Sequence, residues 1–328
     1  MHKSYIRAVV LAGFTAIGTP VAVAQGVAAK YPDKALRLVV PFPPGGGNDI
    51  LARTVGQRLA EVVSQQVVVD NRGGAGGALG ATIAAQANPD GYTLFLGSVG
   101  SLAQNPALKA NLPYNPVRDF APVTLVATSA FILAVNPSVP AKSVQELIAL
   151  AKASPGKLNY ASAGTGSSLH MAGELFKYAT GTDMLHVPYK GTGPAMTDLI
   201  SGRVQLIFST MPPALPQIKT GKLRALGVTT AKRATAAPDV PTIAESGVKG
   251  FNVANWQGIL LPAKVPVAIV KKLNHDTLAA LKLPGMTEAL AAQGLESAGG
   301  TPEEFSALMK SEIAKYTQVV KAAHITVD

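Results

Sequence analysis

A glycine-rich loop joins an apolar strand to a helix in the segment VVPFPPGGGNDILARTVGQRL, residues 39–59. The glycines at 45–47 can adopt backbone conformations that other residues avoid, and they expose N–H groups without a Cβ in the way. The helix that follows presents free N–H donors and a partial positive charge, so a carboxylate or phosphate can be held there without a cationic side chain. We expect Asn48 or Asp49 to cap this helix and Phe42 to supply an apolar wall. The loop predicts a site for a small organic anion, although a plain connector has the same composition.

Four further loops of this kind follow other predicted strands. They are rich in Gly, Ser and Thr and lie at residues 71–77, 97–101, 162–168 and 190–193. Such loops in both halves of a chain suit a ligand gripped between two lobes. Small hydroxyls donate hydrogen bonds to a carboxylate and leave room for it. The recurrence favours an anion site over a set of connectors.

The common catalytic and nucleotide-binding motifs are absent from the sequence. The GGGNDI segment is neither a P-loop nor a dinucleotide fingerprint, the GTG at 164–166 lacks a third glycine, and no GxSxG nucleophile elbow occurs. The histidines at 2, 170, 186, 275 and 324 show no metal-ligand spacing. His170 or His186 could be a general base, or could be packed in the core. We predict no catalytic residue, no metal and no cofactor, with an exported hydrolase using His170 and a loop serine as an alternative.

Short apolar runs alternate with helical stretches, which predicts βαβ units and a mostly parallel sheet in an α/β fold. Ser143, with Glu146 three residues on, predicts a capping box at the start of one helix. The predicted strands cover residues 36–41, 66–70, 92–97, 131–136, 158–161, 185–187, 204–208, 223–229 and 252–261. The predicted helices cover residues 48–63, 75–86, 143–153, 167–180, 194–201, 213–220, 266–281, 286–293 and 302–323.

The last third of the chain is mainly helical and contains only one predicted strand. Its helices therefore need a sheet formed by other segments to pack against, and we expect them to cover the first sheet. We therefore predict a discontinuous lobe I at residues 25–130 and 256–328, an inserted lobe II at 131–255, and two crossings near the boundaries. Trp256, the only tryptophan, would lie at the second crossing, either in the core or facing the cleft.

The first 24 residues have the features of a secretory signal peptide. Lys3 and Arg7 give a positive start, residues 8–17 are apolar, and a small-residue AVA site ends at Ala24. We predict cleavage after Ala24 and a soluble periplasmic protein. The sequence has no cysteine, so packing of the hydrophobic core must stabilise the folded protein without disulfides.

The net charge of +10 would suit nucleic acid if the cations were clustered. They are scattered, and the densest pairs, at 232–233 and 271–272, stand alone without interleaved aromatics. We predict a solvated surface, no nucleic-acid partner and a monomer, in which a mild positive field favours an anionic ligand.

Six motifs occur in order along the chain: VVPFPPGGGNDILAR, VVVDNRGGAGGALGA, NPDGYTLFLGS, NYASAGTGSSLHMAGELF, HVPYKGTGPAMTDLISGRVQLIF and LGVTTAKRATAAPDVPTIAESG. With them the chain resembles the Bug family of extracytoplasmic solute receptors, over almost all of the mature sequence. The resemblance implies a type II periplasmic-binding-protein fold with two α/β lobes around a cleft. It also implies a receptor that binds a small carboxylate, such as a mono- or dicarboxylate, an amino acid or an aromatic acid. The partner it implies is an inner-membrane tripartite tricarboxylate permease; a sensor that docks to a membrane signalling protein is an alternative.

The family holds its carboxylate with two loops of the first lobe, largely through backbone N–H groups and ordered water. It more usually has Ser or Thr where Asn48 stands. Carried onto this chain, the resemblance implies first-lobe contacts from Phe42, Gly45, Gly46, Gly47, Asn48, Asp49, Ser98, Gly100 and Ser101. It implies second-lobe contacts from Ala163, Thr165, Ser167, His170, Tyr189, Lys190, Ser209 and Thr210.

Overall fold

The computed structural model describes residues 31–325. The predicted signal peptide at residues 1–24 lies outside this range. Helices and strands alternate along the described part of the chain, as the apolar pattern predicts.

The strands are short except for β4 and β9. They are β1 (Leu36–Val40), β2 (Val67–Asn71), β3 (Thr93–Ser98), β4 (Phe120–Val135), β5 (Asn159–Ser162), β6 (Leu185–Pro188), β7 (Leu206–Thr210), β8 (Arg224–Val228), β9 (Ala254–Pro262) and β10 (Glu296–Ser297).

The helices mostly follow a strand within a few residues. They are α1 (Gly47–Val63), α2 (Ala78–Ala85), α3 (Asn105–Leu108), α4 (Val144–Ala153), α5 (Ser168–Thr180), α6 (Thr192–Ile200), α7 (Met211–Lys219), α8 (Val267–Leu281), α9 (Met286–Ala292) and α10 (Pro302–Ala322). A 3₁₀ turn (Ala75–Gly77) precedes α2, and a π-helical turn (Gly100–Gln104) precedes α3.

The prediction of a mostly parallel sheet is wrong. Strands β1, β2 and β3 are parallel to one another, as are β5, β6 and β7. The long β4, however, is antiparallel to β7, β8, β9 and β10, and β9 is also antiparallel to β3. The first part of β4 was not predicted, since Pro122 argues against a strand interior; the register shift after Pro122 shows a bulge that accommodates it.

Strand β4 connects the two halves of the sheet. Up to Ala130 it pairs with β9, and from Phe131 onwards it pairs with β7. Ala130 lies opposite Ala254, so two strands run side by side where the halves meet. We propose the lobe boundaries at 130/131 and 255/256 on this basis.

The C-terminal helices cover the first half of the sheet. Ile269 and Leu273 of α8 share one buried cluster with Leu38 of β1 and Leu51 of α1. A second cluster contains Phe208 of β7 together with Phe95 of β3 and Phe305 of α10. The buried side chains therefore continue from one half of the sheet into the other.

One local prediction needs correction, and the structure decides between the two alternatives for Trp256. Ser143 does cap α4, because its hydroxyl accepts a hydrogen bond from the Glu146 N–H at 3.1 Å. The Glu146 carboxylate, however, accepts from the Lys142 N–H at 2.6 Å and not from that of Ser143, so the reciprocal bond of a capping box is displaced by one residue. Trp256 is a core residue: its Nε1 donates to Glu312 at 3.2 Å and its ring packs edge-on against Phe305.

Candidate functional site

A narrow cleft lies between the two halves. The carboxyl ends of strands β1, β3, β5, β6 and β7 meet at this cleft, which is where α/β folds bind their ligands. It is lined by Phe42, Gly46, Gly47, Asn48, Ser98, Phe131, Ala163, Ser168, Leu169, Thr192, Thr210 and Asn255. The lining contains no charged side chain among the described residues.

The first glycine loop ends at the start of α1, directly on the cleft. Gly46 is the N-cap, with φ of −86°, and it offers no side chain to cap the helix. Of the three loop glycines only Gly45 has a positive φ, at 84°. The first N–H groups of a helix have no partner within it, so those at the start of α1 are available beside the cleft wall formed by Gly46, Gly47 and Asn48.

The expectation that Asn48 or Asp49 caps α1 is wrong. The amide oxygen of Asn48 accepts a hydrogen bond from Gln257 Nε2 at 3.3 Å. The Asp49 carboxylate reaches back to the Gly45 N–H at 2.9 Å and pairs with Arg53 at 3.0 Å. Asp49 is therefore a support of the loop and does not line the cleft.

The buried Asp49 stays ionised next to this anion site. Its burial raises the pKa of the carboxyl, but the hydrogen bond from the Gly45 N–H and the Arg53 guanidinium outweigh that effect, so the pKa lies below its usual value. Arg53 thereby compensates a negative charge that would otherwise repel an anion.

The second first-lobe loop presents an unused hydroxyl. Ser98 is only 2% exposed and lines the cleft, and its Oγ has no hydrogen-bond partner among the described residues. Ser101 does not line the cleft. Its Oγ accepts from the Ser98 N–H at 3.1 Å and donates to the Ser98 carbonyl at 3.2 Å, which fixes the turn.

Three helices of the second half begin at the opposite wall. They are α5 after its N-cap Ser167, α6 after Gly191 and α7 after Thr210. The Ser167 hydroxyl accepts from the His170 N–H at 3.3 Å and is thus used within its own helix. Thr210 lines the cleft, is 6% exposed, and its Oγ1 has no partner in the part of the chain that the structure describes. Positive helix ends and one free hydroxyl therefore face the first-lobe loops.

The remaining predicted second-lobe residues, except Ala163, lie away from the lining. Tyr189 donates its hydroxyl to Asp198 at 2.9 Å, and Lys190 is exposed. Ser209 is fully buried and donates to the Thr210 carbonyl at 3.0 Å. The Thr165 carbonyl lies against Gly76 of the first half, so it contributes to the contact between the halves. A ligand contact by these residues stays a prediction.

The rings of His170, which is buried, and His186, which is half-buried, lie against each other beneath the start of α5. Their ring centroids are 4.1 Å apart, and Tyr160 stacks against His186. His170 Nδ1 accepts from the Gly166 N–H at 3.3 Å, and His186 Nε2 lies 2.7 Å from Ser162 Oγ. Burial lowers the pKa of both rings, to about 4 for His186, whose pKa the neighbouring His170 lowers further. The rings are neutral packing groups at pH 7, which matches the core alternative for both histidines.

The two halves press closely on each other around the cleft. A Cβ added to Gly47 would lie 2.5 Å from Thr210 Oγ1, and one added to Gly100 would lie 2.5 Å from Ser168 Oγ. Glycine is needed at both positions because of this approach. The structure is thus a closed clamp.

Five lining residues were missed by the sequence reasoning: Phe131, Ser168, Leu169, Thr192 and Asn255. Ser168 and Thr192 lie in the predicted loops at 162–168 and 190–193, but neither was named as a ligand contact. Phe131 and Asn255 lie in strands at the meeting point of the halves, a position that the predicted crossings indicated without naming side chains.

Residues 51–325 match the family model described as the tripartite tricarboxylate transporter family receptor, TctC. BugT of Bordetella pertussis is 38% identical over 292 residues, which is 89% of this chain and 90% of BugT. A solved structure described as a periplasmic transporter is 47% identical with a TM-score of 0.88, over 91% of this chain and 100% of that one.

Two solved neighbours carry a ligand. An R. palustris protein with adipate is 39% identical with a TM-score of 0.87, over 90% of this chain and 99% of that one. MatC from Rhodopseudomonas palustris with bound malate is 33% identical with a TM-score of 0.85, over 88% of this chain and 100% of that one.

This chain belongs to the TctC (Bug) family of periplasmic solute receptors. The predicted two-lobed periplasmic-binding-protein fold is confirmed by these neighbours. No helix in residues 31–325 has the length and apolarity that a membrane crossing requires, and no cluster of metal-ligating side chains occurs in the same range.

Proposed function

We propose that this receptor captures a small carboxylate in the cleft between its lobes and delivers it to a tripartite tricarboxylate-type permease of the inner membrane. One observation carries the proposal. Two buried hydroxyls, Ser98 Oγ and Thr210 Oγ1, reach the cleft from opposite lobes, and neither has a hydrogen-bond partner within residues 31–325. A buried polar atom left unpaired costs free energy, and a bound carboxylate would satisfy both.

The electrostatics of the cleft support an anion as the ligand. Four helices, α1, α5, α6 and α7, begin at its walls, and each contributes a partial positive charge and free N–H groups. Adipate and malate, the ligands of two related structures, are both dicarboxylates. No Arg or Lys among residues 31–325 lines the cleft. Binding is therefore weaker than with a bidentate arginine, and we propose micromolar affinity, about −8 kcal/mol.

The geometry around His170 favours a receptor over a hydrolase. A general base must reach the proton that it removes. The Nδ1 of His170 already accepts from a backbone N–H, and its ring is stacked in the core. We therefore propose that the ligand leaves the cleft chemically unchanged.

The proposal is tested by calorimetric titration of the purified protein with a panel of mono- and dicarboxylates that includes adipate and malate. We expect Ser98→Ala and Thr210→Val each to weaken binding by about tenfold or more, because a hydrogen bond to a charged group contributes about 1.5–3 kcal/mol. Ser311→Ala and Thr317→Val, whose hydroxyls bond to carbonyls on the exposed face of α10, are the matched controls and should bind like wild type. No binding across the panel would refute carboxylate capture.

Delivery to a permease needs a separate experiment. In a strain that lacks this receptor, uptake of the ligand identified by calorimetry should be lost, and it should return with the wild-type receptor but not with Thr210→Val at limiting ligand. Uptake that persists without the receptor would favour the sensor alternative.

A further inference from the structure

We propose that Asn71 and Arg53, acting through Asp49, are positioning residues that hold the first glycine loop in its anion-binding conformation. This inference rests on the proposed function and assigns a role to two side chains that do not line the cleft. It also gives Asp49 a role in place of the ligand contact that the resemblance implied.

The loop has few hydrogen bonds available to fix it. Pro43 and Pro44 have no N–H to donate. Two side chains from outside the loop hold its two ends: Asn71 Nδ2 donates to the Phe42 carbonyl at 2.9 Å, and Asp49 Oδ2 accepts from the Gly45 N–H at 2.9 Å. The conformation of the segment between them therefore depends on these two bonds.

Arg53 links the two supports. Its Nη2 lies 3.0 Å from Asp49 Oδ1 and 3.5 Å from Asn71 Oδ1. One guanidinium on α1 thus joins a side chain of the same helix to one at the end of β2, the neighbouring strand of β1. These contacts connect the loop both to α1, which follows it, and to the sheet that contains β1 and β2.

The charge arrangement points to the same role. The Asp49 side chain is 5% exposed and lies in the first turn of the helix whose start faces the anion. A buried carboxylate there would oppose anion binding if it were unpaired. The Arg53 side chain is 57% exposed, so it neutralises Asp49 from the solvent side at little desolvation cost. Asp49 can then hold the Gly45 amide without repelling the ligand.

The experiment compares Asn71→Leu and Arg53→Ala with wild type, using adipate and malate as probes. Asn71→Leu nearly keeps the size and shape of the side chain but removes the donor that faces the Phe42 carbonyl, and it adds no charge beside Asp49. Arg58→Ala is the matched control, because Arg58 lies on the same helix and pairs with Glu61 at 3.0 Å. We expect Asn71→Leu to weaken binding by about tenfold and Arg53→Ala by about threefold to tenfold, from the usual size of a lost hydrogen bond or charge-assisted bond. Arg58→Ala should bind like wild type.

A second readout separates positioning from general destabilisation. Hydrogen exchange of the unliganded protein should be faster in Asn71→Leu for the amides of residues 45–48, while the amides of β1 and β3 keep their protection. Arg53→Lys, which keeps the charge, should recover most of the affinity lost in Arg53→Ala.

The outcomes distinguish the two proposals. If wild type binds a probe and Asn71→Leu binds it equally well, the positioning role is wrong and the proposed function stands. If wild type binds no carboxylate, the proposed function fails, and hydrogen exchange at residues 45–48 still decides whether Asn71 and Arg53 order the loop. Unchanged exchange there overturns the positioning role in either case.

Discussion

Replacing Gly47 with alanine should weaken ligand capture without weakening the fold. The added Cβ would lie 2.5 Å from Thr210 Oγ1, 2.9 Å from Thr210 Cβ and 3.3 Å from Thr210 Cγ2. Favourable contacts between heavy atoms lie at about 3.5–4.0 Å. Rotating the Thr210 side chain moves Oγ1 and Cγ2 but leaves its Cβ in place, so the clash is relieved only if the lobes move apart.

The size of the effect follows from that overlap. Inserting a methyl group into a packed contact costs about 1–3 kcal/mol, which is about a five- to hundredfold loss of affinity. The cost arises in the closed clamp alone. Alanine has a higher helix propensity than glycine by about 1 kcal/mol at interior positions, so the unliganded protein should melt no earlier than wild type.

Gly193→Ala is the matched control for this experiment, because Gly193 lies near the start of α6 but not in the cleft lining. The nearest atom to its added Cβ would be the Pro44 carbonyl oxygen at 3.8 Å, an ordinary contact. Calorimetric titration with adipate and malate should show near wild-type affinity for Gly193→Ala and the predicted loss for Gly47→Ala. Equal affinities in the two variants would refute the reasoning that closure at this contact accompanies binding.

Three further predictions concern residues outside the lining. Gly76→Ala would push a Cβ into the Thr165 carbonyl across the interlobe contact. Calorimetry should therefore show weaker ligand binding, although position 76 does not line the cleft. Unchanged binding would mean that this contact does not form when the lobes close. His186 has a folded-state pKa of about 4, below its unfolded value, so its contribution to stability is present above pH about 6.5 and is lost as pH falls towards 4. Denaturant titrations should show that His186→Asn loses less free energy of unfolding than wild type over this pH window. An equal loss in both proteins would contradict the assignment. Trp256→Phe removes the hydrogen bond to Glu312 and should lower the free energy of unfolding by about 1–2 kcal/mol with unchanged ligand affinity; a loss of affinity at unchanged stability would instead place Trp256 at the site.

The helices and short strands were predictable because their signals are local. Apolar spacing predicted α1, α5, α8 and α10 to within a residue or two of their observed ends. Strand direction depends on pairing between distant segments, and no local pattern shows that β4 and β9 are antiparallel to their neighbours. The first part of β4 was missed because Pro122 obscures it, and the bulge that admits this proline forms only in the paired sheet.

The site was predicted at the level of loops and less well at the level of side chains. Glycine loops at strand ends indicated the correct strand termini, since the carboxyl ends of parallel strands gather at one edge. Whether a loop residue faces the ligand or supports the loop depends on its three-dimensional partners. Asp49, Ser101 and Ser167 have residue types suited to a ligand, yet their oxygens are used by Gly45, Ser98 and His170.

The most direct test of the central claim is a crystal structure of the protein with its bound carboxylate. The account predicts carboxylate oxygens within hydrogen-bond distance, about 2.7–3.2 Å, of Ser98 Oγ, Thr210 Oγ1 and backbone N–H groups at the start of α1. A carboxylate bound outside this cleft, with both hydroxyls still unpartnered, would contradict it.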